Sequence, residues 1–251
     1  MEVNTKVNLS GLSLDNPVIP ASGTYGFGKE YVDFYDINIL GSISIKGTTV
    51  QRRKGNPQPR IAECYSGLIN SVGLENPGMD NVIQKELKDL EKIYRKPVIA
   101  NISGFSVEEY VTLAREMDKV DNVGIIEVNI SCPNVDHGGL AFGTNADNVR
   151  ELTKKIKEVT TKPVYMKLSP NVTDIKEIAR AAEEGGADGI SLINTLMGMR
   201  IDINRRKPVI ANKKGGFSGP AIFPVALRMV YEVYEATNLP IIGIGGISSA
   251  E

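Results

Sequence analysis

Polar residues able to do chemistry recur at one kind of place in this sequence, the C-terminal ends of short apolar runs. Lys46 closes the run Ser42–Lys46, and Asn101 closes Pro97–Asn101. Asn129 closes Gly124–Asn129 and leads into Ser131-Cys132-Pro133-Asn134, Lys167 and Ser169 sit at the end of Pro163–Leu168, and Asn194 and Thr195 follow Gly189 onward. Two lysines, several amides and one thiol suit a planar, amide-rich, anionic ligand. Asn side chains both donate and accept, matching imide or uracil-like edges, and lysines neutralise a carboxylate or an anionic reduced ring. The strings Gly216-Phe-Ser-Gly219 and Gly243-Ile-Gly245-Gly246 expose backbone N–H groups of the kind that bind phosphate. A GxGG string alone is often only a turn, and it lacks the full dinucleotide fingerprint. Each polar residue taken singly reads equally well as a solvated loop residue. Their shared position at run ends argues for one rim.

The elements that must position this rim are legible. Apolar runs at Pro17–Ser22, Ser42–Lys46, Pro97–Asn101, Gly124–Asn129, Pro163–Leu168, Gly189–Asn194 and Pro240–Gly243 suit strands buried on both faces, as in parallel sheets. Amphipathic helices are expected between them. Ser106-Val-Glu-Glu109 resembles a capping box before Tyr110–Val120; Thr144–Val159 and Thr173–Glu184 follow, the latter stopped by Gly185-Gly186; Phe223–Thr237 is the last. Strand–helix alternation implies a parallel α/β fold with right-handed crossovers. The expected architecture is a (β/α)8 TIM barrel with an N-terminal hairpin at Val7–Leu14 and seven of its eight strands present. The alternatives are an open sheet or a barrel shortened at the C-terminus, and the second is adopted: a single domain over 1–251, C-terminally incomplete. Barrel active sites lie at the C-terminal ends of the strands, where the polar residues fall.

Composition narrows the chemistry. Among 251 residues, 29 Lys+Arg against 30 Asp+Glu give a net charge of −1 and no basic footprint for nucleic acid or anionic membrane. Two cysteines cannot build a disulfide framework or a four-thiolate zinc site, and a single His excludes multi-His metal sites, so no metal is expected. Free thiols suit a reducing, cytoplasmic setting. Neither a signal peptide nor an apolar stretch of about 18 residues is read.

At NISCPN (129–134) the sequence resembles the dihydroorotate dehydrogenases. Agreeing segments, in order, are NPVIPASGTYGFGKEY (16–31), IKGTT (45–49), GNPQPRIAE (55–63), GLINSVGLENPG (67–78), IANISG (99–104), MKLSP (166–170), INTLMGMR (193–200), GGFSGPAI (215–222) and IIGIGGI (241–247). The resemblance implies an FMN-binding (β/α)8 barrel that oxidises dihydroorotate to orotate in pyrimidine synthesis. Cysteine at the base position, together with the wording of GTYGFGKEY, SGLINSVGLENPG and CPNVDHGGLAFGT, implies class 1B. Such catalytic subunits pair with a subunit carrying FAD and a [2Fe-2S] cluster that passes electrons to NAD, around a homodimer core. Carried over by position, Cys132 is the base that takes the C5 proton. Lys46, Asn70, Gly73, Leu74, Asn129, Asn134, Asn194 and Thr195 hold the substrate. Ala21, Ser22, Lys46, Asn101, Asn129, Lys167, Ile193, Gly219, Gly245 and Gly246 hold FMN, with Lys167 where negative charge develops on reduction. The family's eighth strand, its Gly-Thr phosphate segment and the final helix have no counterpart, so part of the phosphate site is expected to be missing.

Other residues carry plainer readings. Cys64 is read as structural. His137 is a solvated residue of a Pro133–Gly143 lid, whose Gly138 and Gly139 permit hinge-like angles. Gln51–Lys54 and Arg205–Lys207 read as solvated basic faces, and Phe27, Tyr31, Phe34 and Tyr35 as packing. Two further readings stand beside the main one: another FMN barrel acting on a uracil-like ring, and a non-catalytic fragment.

Overall fold

The computed structural model describes residues 3–131 and 142–250. An N-terminal hairpin, β1 (Val7–Leu9) and β2 (Leu12–Leu14), turns at Ser10 and Gly11, both at positive φ (48° and 92°). That is the backbone hand a two-residue hairpin turn requires. A second hairpin, β3 (Ile61–Cys64) and β4 (Gly67–Asn70), comes before the main parallel strands β5 (Val98–Ile102), β6 (Val123–Asn129), β7 (Val164–Lys167) and β8 (Gly189–Leu192). An excursion of four short strands follows, β9 (Leu196–Met199), β10 (Ile201–Asp202), β11 (Lys207–Pro208) and β12 (Lys214–Ser218), before β13 (Ile241–Gly243).

The parallel sheet runs β13-β8-β7-β6-β5. Ser44 and Thr48 extend it by parallel bridges to Ile99 and Ile102, so the Ser42–Lys46 run lies beside β5. The Pro17–Ser22 run forms no ladder, because Pro17 and Pro20 have no N–H to donate. It still lies on the inner surface. Ile19 and Ala21 share a small interior cavity with Ile242 and Ile244 of the opposite sheet edge, which shows how far the sheet curls. This is the strand–helix architecture of a (β/α)8 barrel.

Helices Val107–Asp118, Ala146–Lys157, Ile175–Glu184 and Phe223–Ala236 cover the outside. Ser106, Asn145 and Asp174 cap the first three, each accepting from a first-turn N–H. The expected capping box is modified: Glu109 reaches back to the N–H of Phe105 at 2.7 Å, one residue before the cap. The stop at Gly185-Gly186 is a Schellman turn, with Gly186 at φ 89° and Ala187 N–H bonded to Ala182 O at 3.1 Å.

Alternation along the strands separates two environments. Val98, Ala100, Ile126, Val128, Val164, Met166, Ile190 and Leu192 face the helices in the large core. The other set faces inward. Its lower layer is apolar, with Ile99, Ile125 and Tyr165 packed on Leu9 and Leu14 of the hairpin, which plugs that end. Ser10 Oγ holds the plug by bonds to Tyr165 OH (3.0 Å) and Asp188 O (2.8 Å). Gly189 leaves the room that the Tyr165 ring fills; a Cβ there would sit on the ring. The next inward layer is polar: Ser44, Asn101, Glu127, Lys167 and Ser191.

The four-stranded antiparallel sheet β3-β4-β12-β9 was not expected from the sequence. Its strands are four or five residues long and β4, β9 and β12 contain glycine, so no period shows. It joins segments far apart in the chain, with Phe217 opposite Ile69. Cys64, read as structural, packs at the small apolar cluster beneath this sheet.

Asp118 ties the end of the Val107–Asp118 helix to the approach to β7. Its Oδ1 accepts from Thr160 Oγ1 (2.6 Å), Thr161 N (2.7 Å) and Lys162 N (3.1 Å). Burial raises its pKa, but these hydrogen bonds outweigh burial and hold it below 3.8. Asp118→Ala is expected to cost about 1–3 kcal/mol in urea unfolding at neutral pH. Because the folded pKa is depressed, that contribution is whole above the ordinary value and fades as pH falls through the lower folded one. The gap between parent and variant should therefore close in acid, and a gap constant down to pH 2 would refute the assignment.

Candidate active site

The polar layer ends at the rim formed by the C-terminal ends of the strands. Glu127, one position pair below Asn129 on β6, is 1% exposed. Its Oε2 accepts from Asn101 Nδ2 (2.5 Å), Ser44 Oγ (3.1 Å) and Lys167 Nζ (3.4 Å). Lys167, 5% exposed, also donates to Ser22 Oγ at 3.3 Å. Burial alone would raise the Glu127 pKa, but the Lys167 charge and the bonds from Asn101 and Ser44 keep it below the usual carboxylate value. Ser191 Oγ is buried alongside, with no hydrogen-bond partner of normal geometry among the described residues.

Asn101 Nδ2 is committed to Glu127, so Asn101 Oδ1 faces the other way. It is buried and has no partner among the described residues. It lies against Gly47, where a Cβ would approach it to 2.8 Å, with Leu74 and Ser103 around the same point. Buried acceptors of this kind are rare, and a donor from a ligand would satisfy it. Lys46, next in chain to Gly47, is half-buried. Desolvation lowers its pKa, opposed by the charge of Glu75.

Asn129 and Asn194 meet at the rim, Asn194 Nδ2 donating to Asn129 Oδ1 at 3.1 Å. Tyr110 OH anchors the Asn129 carbonyl at 2.6 Å. Ile193 is tied to β13 through its N–H on Ile244 O at 3.0 Å. Thr195 lies over Gly216, which must lack a side chain. Asn70 enters from β4, its amide reaching Gly216 O at 3.4 Å, so the antiparallel sheet carries one wall. Gly73 and Leu74 both hold positive φ (78° and 56°), which turns the Ser71–Glu75 segment back toward Gly47.

The glycines form a second feature. A Cβ on Gly246 (φ 71°) would meet Gly219 O at 2.9 Å and Phe223 Cβ at 2.8 Å. Gly219 (φ 117°) precedes the turn Pro220–Ile222, which runs directly into the Phe223–Ala236 helix. Two close-set glycine backbones at a helix start make the concavity that phosphate favours. A flat ring with polar edges on the Asn101–Lys167 side and a phosphate on the glycine side is what these groups fit, as FMN has.

Ala21, Ser22, Lys46, Asn101, Asn129, Lys167 and Ile193 thus share the barrel mouth, with Asn70, Gly73, Leu74, Asn194 and Thr195 above or beside them and Gly219, Gly245 and Gly246 toward β13. Cys132 and Asn134, with His137 and most of the expected lid, lie outside the described residues. Arg53 departs from the solvated reading of its cluster: it stacks 4.6 Å over the Phe105 ring and donates to Gly73 O. Glu127 was missed in the sequence, although a carboxylate inside the Val/Ile run 123–128 was a visible signal. A surface groove between the Ala146–Lys157 and Ile175–Glu184 helices, around Arg150 and Glu184, offers none of these groups.

Residues 4–251 match the family model described as dihydroorotate dehydrogenase. Among curated proteins, the chain is 58% identical over 246 residues to the dihydroorotate dehydrogenase B (NAD(+)) catalytic subunit of Bacillus cereus strain G9842, covering 98% of this chain and 79% of that one. The subunit of the same name from Bacillus cytotoxicus is also 58% identical over 246 residues, with the same coverage.

Gly47→Ala is expected to keep the fold and to weaken FMN binding at least tenfold by pushing on Asn101 Oδ1, a loss of about 1.4 kcal/mol or more. Fluorescence titration with FMN measures it. Unchanged affinity would remove Asn101 from the cofactor site.

Proposed function

The chain belongs to the dihydroorotate dehydrogenase family, and from that premise we propose that it oxidises dihydroorotate to orotate in pyrimidine synthesis, as the flavin-dependent catalytic subunit of an NAD-linked enzyme. The observation that carries this reading is the buried polar layer ending in an unsatisfied Asn101 acceptor and a Lys167 amine at one mouth of the barrel.

The reaction removes a proton from C5 and a hydride from C6 of the substrate. Cys132 takes the C5 proton, as a thiolate or through a relay that accepts from it. FMN, when bound, supplies the acceptor for the C6 hydride. Lys46 pairs with the substrate carboxylate; its half-buried amine is screened less by water than a surface lysine. Asn194 donates to Asn129, so the two amides are fixed relative to each other and present their remaining groups to the ring edge. Asn70, Asn134, Gly73, Leu74 and Thr195 complete the substrate side. Ala21, Ser22, Asn101, Lys167 and Ile193 would hold the ring of FMN, and Gly219, Gly245 and Gly246 its phosphate. Lys167 would place a positive charge beside that ring, which favours its taking up electrons.

A second subunit carrying FAD and a [2Fe-2S] cluster would pass the electrons on to NAD. The catalytic subunits form a homodimer core in the cytoplasm. No described helix is long and apolar enough to cross a membrane.

The test is an anaerobic visible spectrum of the chain with FMN, before and after dihydroorotate. Bleaching of the bound flavin band is expected; bleaching by dihydrouracil in place of dihydroorotate would overturn the substrate assignment. Cys132→Ala should keep FMN and slow the bleaching about 10²–10⁴-fold near neutral pH, the usual worth of a general base. An unchanged rate would exclude Cys132 as the base.

A further inference from the structure

Glu127 touches no atom assigned to substrate, yet it contacts two residues that the proposed reading gives to the cofactor. Its Oε2 is 2.5 Å from Asn101 Nδ2 and 3.4 Å from Lys167 Nζ. A carboxylate accepts hydrogen bonds and cannot donate them when ionised, so the Asn101 amide is held in one of its two orientations, NH₂ inward and oxygen outward. The outward oxygen is the buried acceptor left without a partner. The same carboxylate faces the Lys167 charge inside the barrel, 1% exposed itself and with no water-exposed face to screen it.

We propose that Glu127 is a positioning residue for the flavin: its buried carboxylate fixes the Asn101 amide with the acceptor toward the ring and balances the charge of Lys167, so that the flavin meets an ion pair and not a bare cation. The inference rests on the FMN reading above. Its electrostatic content follows directly. A lone buried lysine beside the ring favours the anionic reduced form over the neutral oxidised one. A carboxylate on the far side of that lysine opposes part of the preference. Glu127 therefore holds the reduction potential of the bound flavin below the value Lys167 alone would set.

Charge and geometry can be separated by substitution. Glu127→Gln keeps the length and an acceptor for Asn101 but removes the charge. Glu127→Asp keeps the charge and shortens the reach. The readout is the potential of bound FMN, measured by equilibration with a reference dye during enzymatic reduction, together with FMN affinity for the oxidised chain by fluorescence.

In Glu127→Gln, the preference for reduced over oxidised flavin is expected to rise about tenfold, a positive shift of about 30 mV for a two-electron couple. Glu127→Asp is expected to keep the potential near that of the parent while weakening FMN binding, because the Asn101 amide loses its anchor. A Glu127→Gln potential equal to the parent's would overturn the charge-balancing role, as would an equal positive shift in Glu127→Asp. If Glu127→Gln does not fold, the Asp variant still decides, since a shifted potential with the charge retained refutes the proposal. The potential is read without substrate. A flavin that binds and shows the expected shift but is not bleached by dihydroorotate would sink the functional reading and leave the role of Glu127 standing; a chain that binds no FMN would overturn both.

Discussion

A carboxylate and an ammonium group buried together inside the barrel are the constraint around which this molecule is arranged. Bringing either ion out of water alone costs several kcal/mol. Glu127 and Lys167 are tolerable there because each compensates the other, and because Asn101, Ser44 and Ser22 supply further hydrogen bonds. Such a pair contributes little net stability; replacing it with apolar residues of equal volume is often neutral or favourable. What stabilises the fold is elsewhere, in the apolar shell between sheet and helices and in the hairpin plug. The interior polar layer is held in place by that shell.

The barrel provides the floor and the excursions provide the walls. Parallel strands give the inward positions a fixed alternation, so the residue two steps above Ile125 must be Glu127 and the next inward one Asn129. The antiparallel sheet then rises from two loops of the barrel and brings Asn70 and Gly216 together. Its glycines permit that closeness: side chains at Gly67, Gly215 or Gly216 would strike Ser218, Asn70 or Thr195.

Much of this was legible in the sequence for a physical reason. Strands buried on both faces need continuous apolar runs, and a barrel rim needs polar residues where those runs stop, so Lys46, Asn101, Asn129, Lys167 and Asn194 could be named from position alone. The helix start at Ser106 and the stop at Gly185-Gly186 are local and were equally plain. The antiparallel sheet was not, because the pairing of β4 with β12 that joins its halves lies between residues more than a hundred positions apart, and its short strands carry no period. Pro17–Ser22 read as a strand and runs extended without a ladder, its two prolines having removed the donors. Glu127 was hidden by its neighbours: in a run of Ile and Val, one charged residue looks like an exception, when its charge is the content of the site.

Tyr165 and Gly189 sit side by side on β7 and β8, the ring of one occupying the space the other leaves empty, and Ser10 from the hairpin closes over the phenol. These three positions span most of the chain, yet none can change freely by itself. A larger residue at 189 demands a smaller one at 165, and a smaller one at 165 strands the Ser10 hydroxyl. The floor of the barrel therefore drifts through sequence space as a unit, with compensating steps taken together, while the helix surfaces outside it can wander one residue at a time.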